Sequence, residues 1–459
     1  MIIANKNFST YEQPLIMLIV KLSKKDEIAE KISCINLISL IFPKIVSSEN
    51  KTTCFEILQS YIDEISELPL IKIEATMELQ KIMPYLNENQ IKQIITSLLN
   101  DQNDSIRIYI TKAFTKMNNT IDNKIKKFIT QTAIKQAEDE SWRVRYATAE
   151  NLAEIMEIVK GEKYSKSLIE AYCKLMEDEE KEVKNICCKK MEDISKAVGK
   201  DDNFVLFLEK LKSFVDSQQE DFILQSFSQN ILKISPHIKT EDVTEYVYPI
   251  FDTLMKKNVH EIQMSLFKTL NHLKNFVDID TIISELIPSI MYVFNNNNWR
   301  IRLECSDFVP VISKVITKQK FLDLVLNLCL DRLVDPVSKV RENASIMISE
   351  LYNVYKGDEF EKKLMDKINS MKDCESYLIR NTVVHLCSEF YNSDKIFFNK
   401  RLLQIVLKLS KDKVSNVRMN SAILLKKISK INKSKEILKC LDDLNNDNDD
   451  DVVYAIMDN

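Results

Sequence analysis

The chain has 459 residues, 64 basic and 68 acidic side chains, a net charge of −4 and only 3 Gly and 9 Pro. Neither half is strongly basic, so the charge balance gives no support for nucleic acid or an anionic membrane as the main partner. So few glycines cannot build a phosphate loop or a dinucleotide-binding turn, and few turn residues of any kind are left for a sheet protein.

From its first residues the chain reads as helix and short polar turn. The start, Met1-Ile-Ile-Ala-Asn-Lys6, lacks the charged-then-apolar layout of a signal peptide. Leu15–Val20 and Leu37–Phe42 are apolar runs far too short to span a bilayer. The cytosol or the nucleus is therefore the expected location. No segment alternates with the period of a strand.

One pattern then recurs: a polar turn often opened by Asp, an apolar–basic pair five and six residues later, and an amphipathic helix. In chain order the turns begin near Asp26 and Ser66, at Asp101, Asp139 and Asp178, near Asp216 and Lys257, at Asn296 and Asp335, near Asp373, at Asp412 and near Asp447. The spacings between them run from 35 to 41 residues. Two helices of three to four turns fill such a period, which is the HEAT-type unit. The fold class expected is all-α: a curved, elongated HEAT-repeat α-solenoid of about twelve two-helix repeats over residues 1–459, without a domain boundary.

After Arg145, Ala147, Leu152, Ile155 and Val159 form an apolar stripe with Glu150, Glu154 and Glu157 between them. No single helix pair can bury that stripe, so neighbouring repeats must stack. Pro249 and Pro288 each stand eight residues before a turn, where a first helix would kink. Pro43, Pro84 and Pro236 fall where second helices should stop. Asn295–Asn298 and Asn445–Asp451 are polar stretches at turns.

Only ten of the 64 basic residues are Arg, and eight of those cluster where a turn enters its second helix. Such a composition keeps Arg where a planar, multi-donor cation matters. Two readings are open. Asp101, Arg107, Asp139, Arg145, Arg302, Asp335, Arg341, Asp412 and Arg418 have the spacing of a structural ladder running along stacked repeats. Trp142-Arg143 and Trp299-Arg300 lie outside the ladder positions, and an exposed Trp beside Arg is the composition of an interface anchor.

Chemistry-bearing clusters are missing. The four His are scattered without the spacing of a metal site, and His260-Glu261 is a lone dyad. The ten Cys contain no Cys-x-x-Cys pair and read as small buried hydrophobes in a reducing compartment. Asp447, Asp449 and Asp451 mimic the start of a calcium loop, but Val452 and Asp458 stand where it needs Gly and Glu. The expectation is no metal, no cofactor and no catalytic residue.

With the repeats placed, the chain resembles the scaffolding (A, or structural regulatory) subunit of type 2A serine/threonine protein phosphatases. The resemblance rests on Ala137-Glu-Asp-Glu-Ser-Trp-Arg-Val-Arg-Tyr146, on Trp299-Arg-Ile-Arg-Leu303 with Pro310, on Leu333-Val-Asp-Pro336 with Val340-Arg-Glu-Asn-Ala344, and on Asn416-Val-Arg-Met-Asn420. It runs roughly from Pro14 to Asp458 and is specific at these turns. It implies a non-catalytic scaffold whose C-terminal repeats, 256–459, dock a phosphatase catalytic subunit at Trp299, Arg300, Asp335, Tyr377, Arg380, Asn416 and Arg418. The N-terminal repeats, 1–255, would face a regulatory B-type subunit, with Trp142 and Arg143 on that side. By the same resemblance the chain starts at the family's fourth repeat, and Lys72-Ile73 replaces a pair of Arg. Catalytic-subunit docking is thus better supported than regulatory-subunit docking. The main alternative is another HEAT adaptor, such as a nuclear-transport receptor.

Overall fold

The computed structural model describes residues 8–63, 69–117, 121–199, 204–217, 220–257, 259–276, 287 and 290–457. Among them every regular element is helical and no strand occurs. The chain divides into two compact units, Met1–Ile262 and Gln263–Asn459. Each is a HEAT-type α-solenoid of stacked helix pairs.

The first unit pairs Phe8–Ser23 with Ile28–Ile41, Ser48–Asp63 with Leu70–Ile82, and Glu88–Leu99 with the broken helix Asp104–Arg107 and Tyr109–Phe114. Asn123–Ala137 with Trp142–Val159, Glu162–Met176 with Lys181–Val198, and Phe204–Ser217 with Asp221–Ser228 follow. Glu88–Leu99 shows why such segments are helical. Asn87 and Gln90 cap its start reciprocally, each side chain accepting from the other's backbone N–H at 3.0 Å. Ile91, Ile94, Ile95 and Leu98 then bury one face at helical spacing.

In the second unit, Trp299–Leu303 and Cys305–Val315 form one second helix. The next second helices are Ser338–Tyr355, Tyr377–Ser393, Ser415–Ser429 and Asp450–Ile456, the last three preceded by Asp358–Met371, Leu403–Leu409 and Lys435–Asn445. Tyr352 is the centre of its core. Its ring lies 5.6 Å from Phe360, 5.4 Å from Phe390 and 4.6 Å from Phe397, so aromatic contact ties three successive repeats. Its hydroxyl donates to Glu361 Oε1 at 2.8 Å, which keeps a buried polar atom satisfied.

Proline acts differently at its two kinds of position. Pro43 and Pro84 sit where Ile28–Ile41 and Leu70–Ile82 tighten into the 3-10 turns Phe42–Lys44 and Met83–Tyr85. Pro236 lies inside a longer 3-10 segment, Ile231–His237. Pro249 opens Tyr248–Lys256 behind a π-helical turn, Val243–Val247. Phe321–Val325 and Phe398–Leu402 make the same π-turn without proline, so the bend belongs to the first helices rather than to that residue. Pro288 lies outside the described residues.

Gly199 caps Lys181–Val198 at φ +69 and ψ −150, a positive-φ conformation that glycine adopts without a Cβ clash. Gly161 and Gly357 end the second helices Trp142–Val159 and Ser338–Tyr355 in the same positive-φ half of the map. All ten cysteines are free thiols and nine are buried, Cys374 being half-buried. Burial pushes the Cys54 and Cys173 thiols up to about 12, so they stay protonated and behave as small apolar side chains.

Phe390→Ala should open a cavity against Tyr352 and Phe397, whose rings lie 5.4 and 5.1 Å away. The expected cost is about 3–5 kcal/mol, read as a lower denaturant midpoint with helicity retained before the transition.

Candidate functional site

Five of the turns entering second helices share one construction. At Asp139, Asp178, Asp335, Asp412 and Asp447 the carboxylate first closes its own turn. It accepts the backbone N–H two residues on, at 2.9–3.0 Å. It then receives both Nε and Nη2 of an arginine from the preceding repeat. The pairs are Arg107–Asp139, Arg145–Asp178, Arg302–Asp335, Arg380–Asp412 and Arg418–Asp447, at 2.6–2.9 Å. The third nitrogen, Nη1, donates to the carbonyl six residues earlier, at 2.7–2.9 Å. The spacing of six seen in the sequence is therefore a carbonyl contact within one turn. The carboxylate contact skips to the next repeat.

Two positions depart from the pattern. Asp101 is held by Lys72 Nζ at 2.5 Å instead of by an arginine. Arg341 reaches no carboxylate: its Nε donates to Thr382 Oγ1 at 2.9 Å, and its Nη1 to the Asp335 and Pro336 carbonyls at 2.7 and 3.1 Å. The residue in the aspartate register of that next turn is Cys374, whose carbonyl accepts Arg380 Nη1 at 2.7 Å. The expected start at Asp373 is corrected by one residue, because the rung counts back six from Arg380.

Three of the residues expected at a partner surface are members of the ladder itself. Asp335 is 3% exposed and Arg380 5%, and both are occupied within the repeat stack. Arg418 likewise gives Nε, Nη1 and Nη2 to Asp447 and Asp412. Asp335 and Arg380 are buried and Arg418 is half-buried, so all three hold the turns from beneath.

What the turns present outward is a smaller set. Trp142, Trp299 and Tyr377 occupy equivalent positions, three residues before a ladder arginine. Trp142 is 40% and Tyr377 39% exposed, and Trp299 is half-buried. Arg143, Arg300 and Asn416 follow the same register one residue on and are exposed. The two Trp-Arg pairs differ. The Arg300 guanidinium lies over its own Trp299 ring, 4.8 Å from the centroid, whereas Arg143 reaches toward Asp104 at 3.6 Å. Val334 and Leu378 are also exposed beside these turns in the second unit, and sequence reasoning missed both. Aligning the repeats by their ladder arginines would have found Leu378, which stands in the register of Arg143 and Arg300.

Burial alone would raise the Asp178, Asp335 and Asp412 carboxyls. The arginine and backbone N–H bonds outweigh it and hold them below the usual carboxylate range. The Arg418 bond lowers Asp447 in the same way, which commits that aspartate to the ladder rather than to a cation. Among the described residues no group of His, Cys, Asp and Glu could hold a metal ion, and no helix is long and apolar enough to cross a membrane. Asp458 lies outside the described residues.

Against known proteins, a family model described as the Vacuolar 14 Fab1-binding region matches residues 113–192, which include Trp142, Arg145 and the Asp178 turn. Serine/threonine-protein phosphatase 4 regulatory subunit 1 of Homo sapiens is 23% identical over 180 residues, covering 37% of this chain and 19% of that protein. The Rattus norvegicus protein of the same name matches to the same extent. This chain spans about a fifth of the length of the curated relatives it matches. Among solved structures, the karyopherin Kap121p bound to the extreme C-terminus of the protein phosphatase Cdc14p superposes with a TM-score of 0.60 at 14% identity, over 92% of this chain and 46% of that one. Importin beta gives 0.58 at 11% identity, over 97% and 64%. These likenesses establish the helical-repeat fold.

Two outcomes test the ladder. Carboxyls held below their unfolded value contribute stability that is present above about pH 4 and lost as pH falls through the depressed folded values. The denaturant midpoint should therefore drop between pH 5 and pH 2, and Asp335→Asn should flatten that drop. Cys374→Asp should give Arg341 the missing carboxylate and raise the unfolding free energy by about 1 kcal/mol, read as a higher denaturant midpoint that Arg341→Ala should erase.

Proposed function

We propose that this chain is a non-catalytic scaffold that binds the catalytic subunit of a type 2A serine/threonine protein phosphatase and, on a separate set of turns, a regulatory subunit. The observation that carries the reading is the pair Trp299 and Arg300, an aromatic ring under its own cation on a turn pinned from beneath by Arg302 and Asp335. Such a pair can bury apolar area and still meet a carboxylate or carbonyl across an interface. Tyr377 and Asn416 extend the same row of turns, and Leu378 adds apolar surface to it. The likeness to a phosphatase regulatory subunit supports the choice of partner. The match of residues 113–192 to a family named for a binding region supports a second docking surface that includes Trp142 and Arg143.

No chemistry is asked of the scaffold. It acts by holding catalytic and regulatory subunits on one chain, which raises their effective concentration for each other. Rigid turns help because side chains already fixed lose little freedom on binding. Asp335, Arg380 and Arg418 contribute through that rigidity.

The test is capture of purified type 2A-class catalytic subunits, that of phosphatase 4 included, by the immobilised chain. Trp299→Ala with Arg300→Ala should weaken capture roughly thirty-fold to nearly a thousand-fold with helicity and melting unchanged. The same double change at Trp142 and Arg143 should spare it. Equal loss from both would refute the division of labour. Failure of the unmutated chain to capture any such subunit, or capture of a Ran-type GTPase in its place, would sink the assignment.

A further inference from the structure

The helices of the second unit have another end. Ser415–Ser429 starts at the turn carrying Asn416 and finishes about 22 Å away along its axis, where the chain crosses to the next repeat. There Lys426 to Lys439 places six lysines against one acidic residue, Glu436, in a protein of net charge −4. The preceding crossing, at Asp394–Phe397, is its neighbour. Lys427 Nζ donates to Asn392 Oδ1 at 2.6 Å, and Lys395 and Lys427 both lie over the Tyr391 ring, 5.5 and 5.9 Å from its centroid.

Two features of this edge are unexplained by folding. Ile396 is 79% exposed and Ile431 69%, each at a crossing rather than within a core stripe. Lys430, Lys433 and Lys435 are exposed, and among the described residues no carboxylate pairs with them. By contrast the carboxylate of Asp394 is occupied by Lys356, and Glu436 accepts from Gln404 at 3.1 Å.

We propose that this edge, Ile396 and Ile431 with Lys430, Lys433 and Lys435, docks an acidic, extended segment of a partner protein. Charge complementarity selects an anionic occupant, and the exposed isoleucines select one with aliphatic or aromatic side chains between its acidic groups. The width of the basic strip selects a peptide over a lipid surface. The next crossing along the unit carries Asp358, Glu359 and Glu361, so a bilayer lying across the edge would meet carboxylates beside the lysines. A single extended chain follows the basic crossing without touching them. Because this edge lies at the opposite end of the helices from Tyr377 and Asn416, its occupant and a partner on the turns can be held together. The inference does not depend on which partner occupies the turns.

The probe is a fluorescein-labelled peptide of alternating glutamate and leucine, followed by anisotropy with the full chain. It should bind with an affinity that falls steeply as salt rises. Lys430→Glu with Lys433→Glu should weaken it at least tenfold, and Ile396→Ser with Ile431→Ser at least threefold, with melting unchanged. Lys411→Glu with Lys413→Glu, at the turn end of the same repeat, should leave it within twofold, and capture of a phosphatase catalytic subunit should be indifferent to the Lys430 and Lys433 changes. Peptide affinity insensitive to the Lys430 and Lys433 changes would overturn the proposal. So would binding to phosphatidylserine vesicles, abolished by those changes, in the absence of peptide binding.

Discussion

At five turns one carboxylate does two jobs, and the stacking of those repeats depends on it. The aspartate must be ionised to accept the arginine fork on both oxygens, and the arginine of the previous repeat must be fully seated to compensate for burying that charge. Neither group is stable there alone. A pair of this kind adds little net energy over an apolar contact, but breaking it strands a buried charge, so it penalises wrong stacking more than it rewards the right one. The guanidinium meets two geometric demands at once: a fork for the carboxylate and a third donor for the carbonyl of its own turn. Lys72, with one nitrogen, makes the carboxylate contact to Asp101 at 2.5 Å but cannot supply the fork.

That constraint determines what the outer residues can do. Trp142, Trp299 and Tyr377 stand one helical turn ahead of a seated arginine, so their backbones are held by the rung even though their rings face outward. Arg300 has no rung to fill and lies on Trp299, making one composite surface from two side chains. Arg143 is drawn instead toward Asp104 in the repeat before it, which leaves the Trp142 ring uncovered by its own cation. Identical dipeptides thus give two different surfaces, one with the guanidinium laid on its own ring and one with it turned toward a carboxylate.

Much of this was legible in the sequence. The period, the helical class and the pairing of Asp with Arg at the turns all follow from composition and spacing, since a chain with so few Arg reveals where Arg is needed. What spacing could not reveal was the direction of each bond. A periodic sequence looks the same whether Arg145 binds Asp139 or Asp178, and only three-dimensional stacking separates the carbonyl of the first from the carboxylate of the second. Arg380 shows the cost of that ambiguity. With Cys374 in the aspartate register its turn does not look like a rung, so the place of Arg380 in the ladder was hidden in the sequence. The π-turns described in first helices were equally invisible, because none contains proline and only Val243–Val247 has one nearby, Pro249.

The division between arginine and lysine extends to the other end of the helices. In the second unit Lys274 Nζ donates to the Lys314 carbonyl at 2.9 Å, Lys318 to the Lys356 carbonyl at 3.0 Å, and Lys426 to the Met457 carbonyl at 2.8 Å. Each places a compact positive charge at the C-terminal end of a neighbouring repeat's second helix, where unpaired carbonyls and the helix dipole favour a cation of any geometry. A fork offers no advantage there, so lysine suffices. Five carboxylate-reading turns hold an arginine, and Asp101 is met by Lys72 instead. The two cations are therefore sorted by the shape of the acceptor each end presents. Lys433 and Lys435 meet neither kind of acceptor among the described residues, and Lys430, the C-cap of Ser415–Ser429, keeps its charged end exposed. Lysines without a carboxylate partner among the described residues are where an external anion has something to bind.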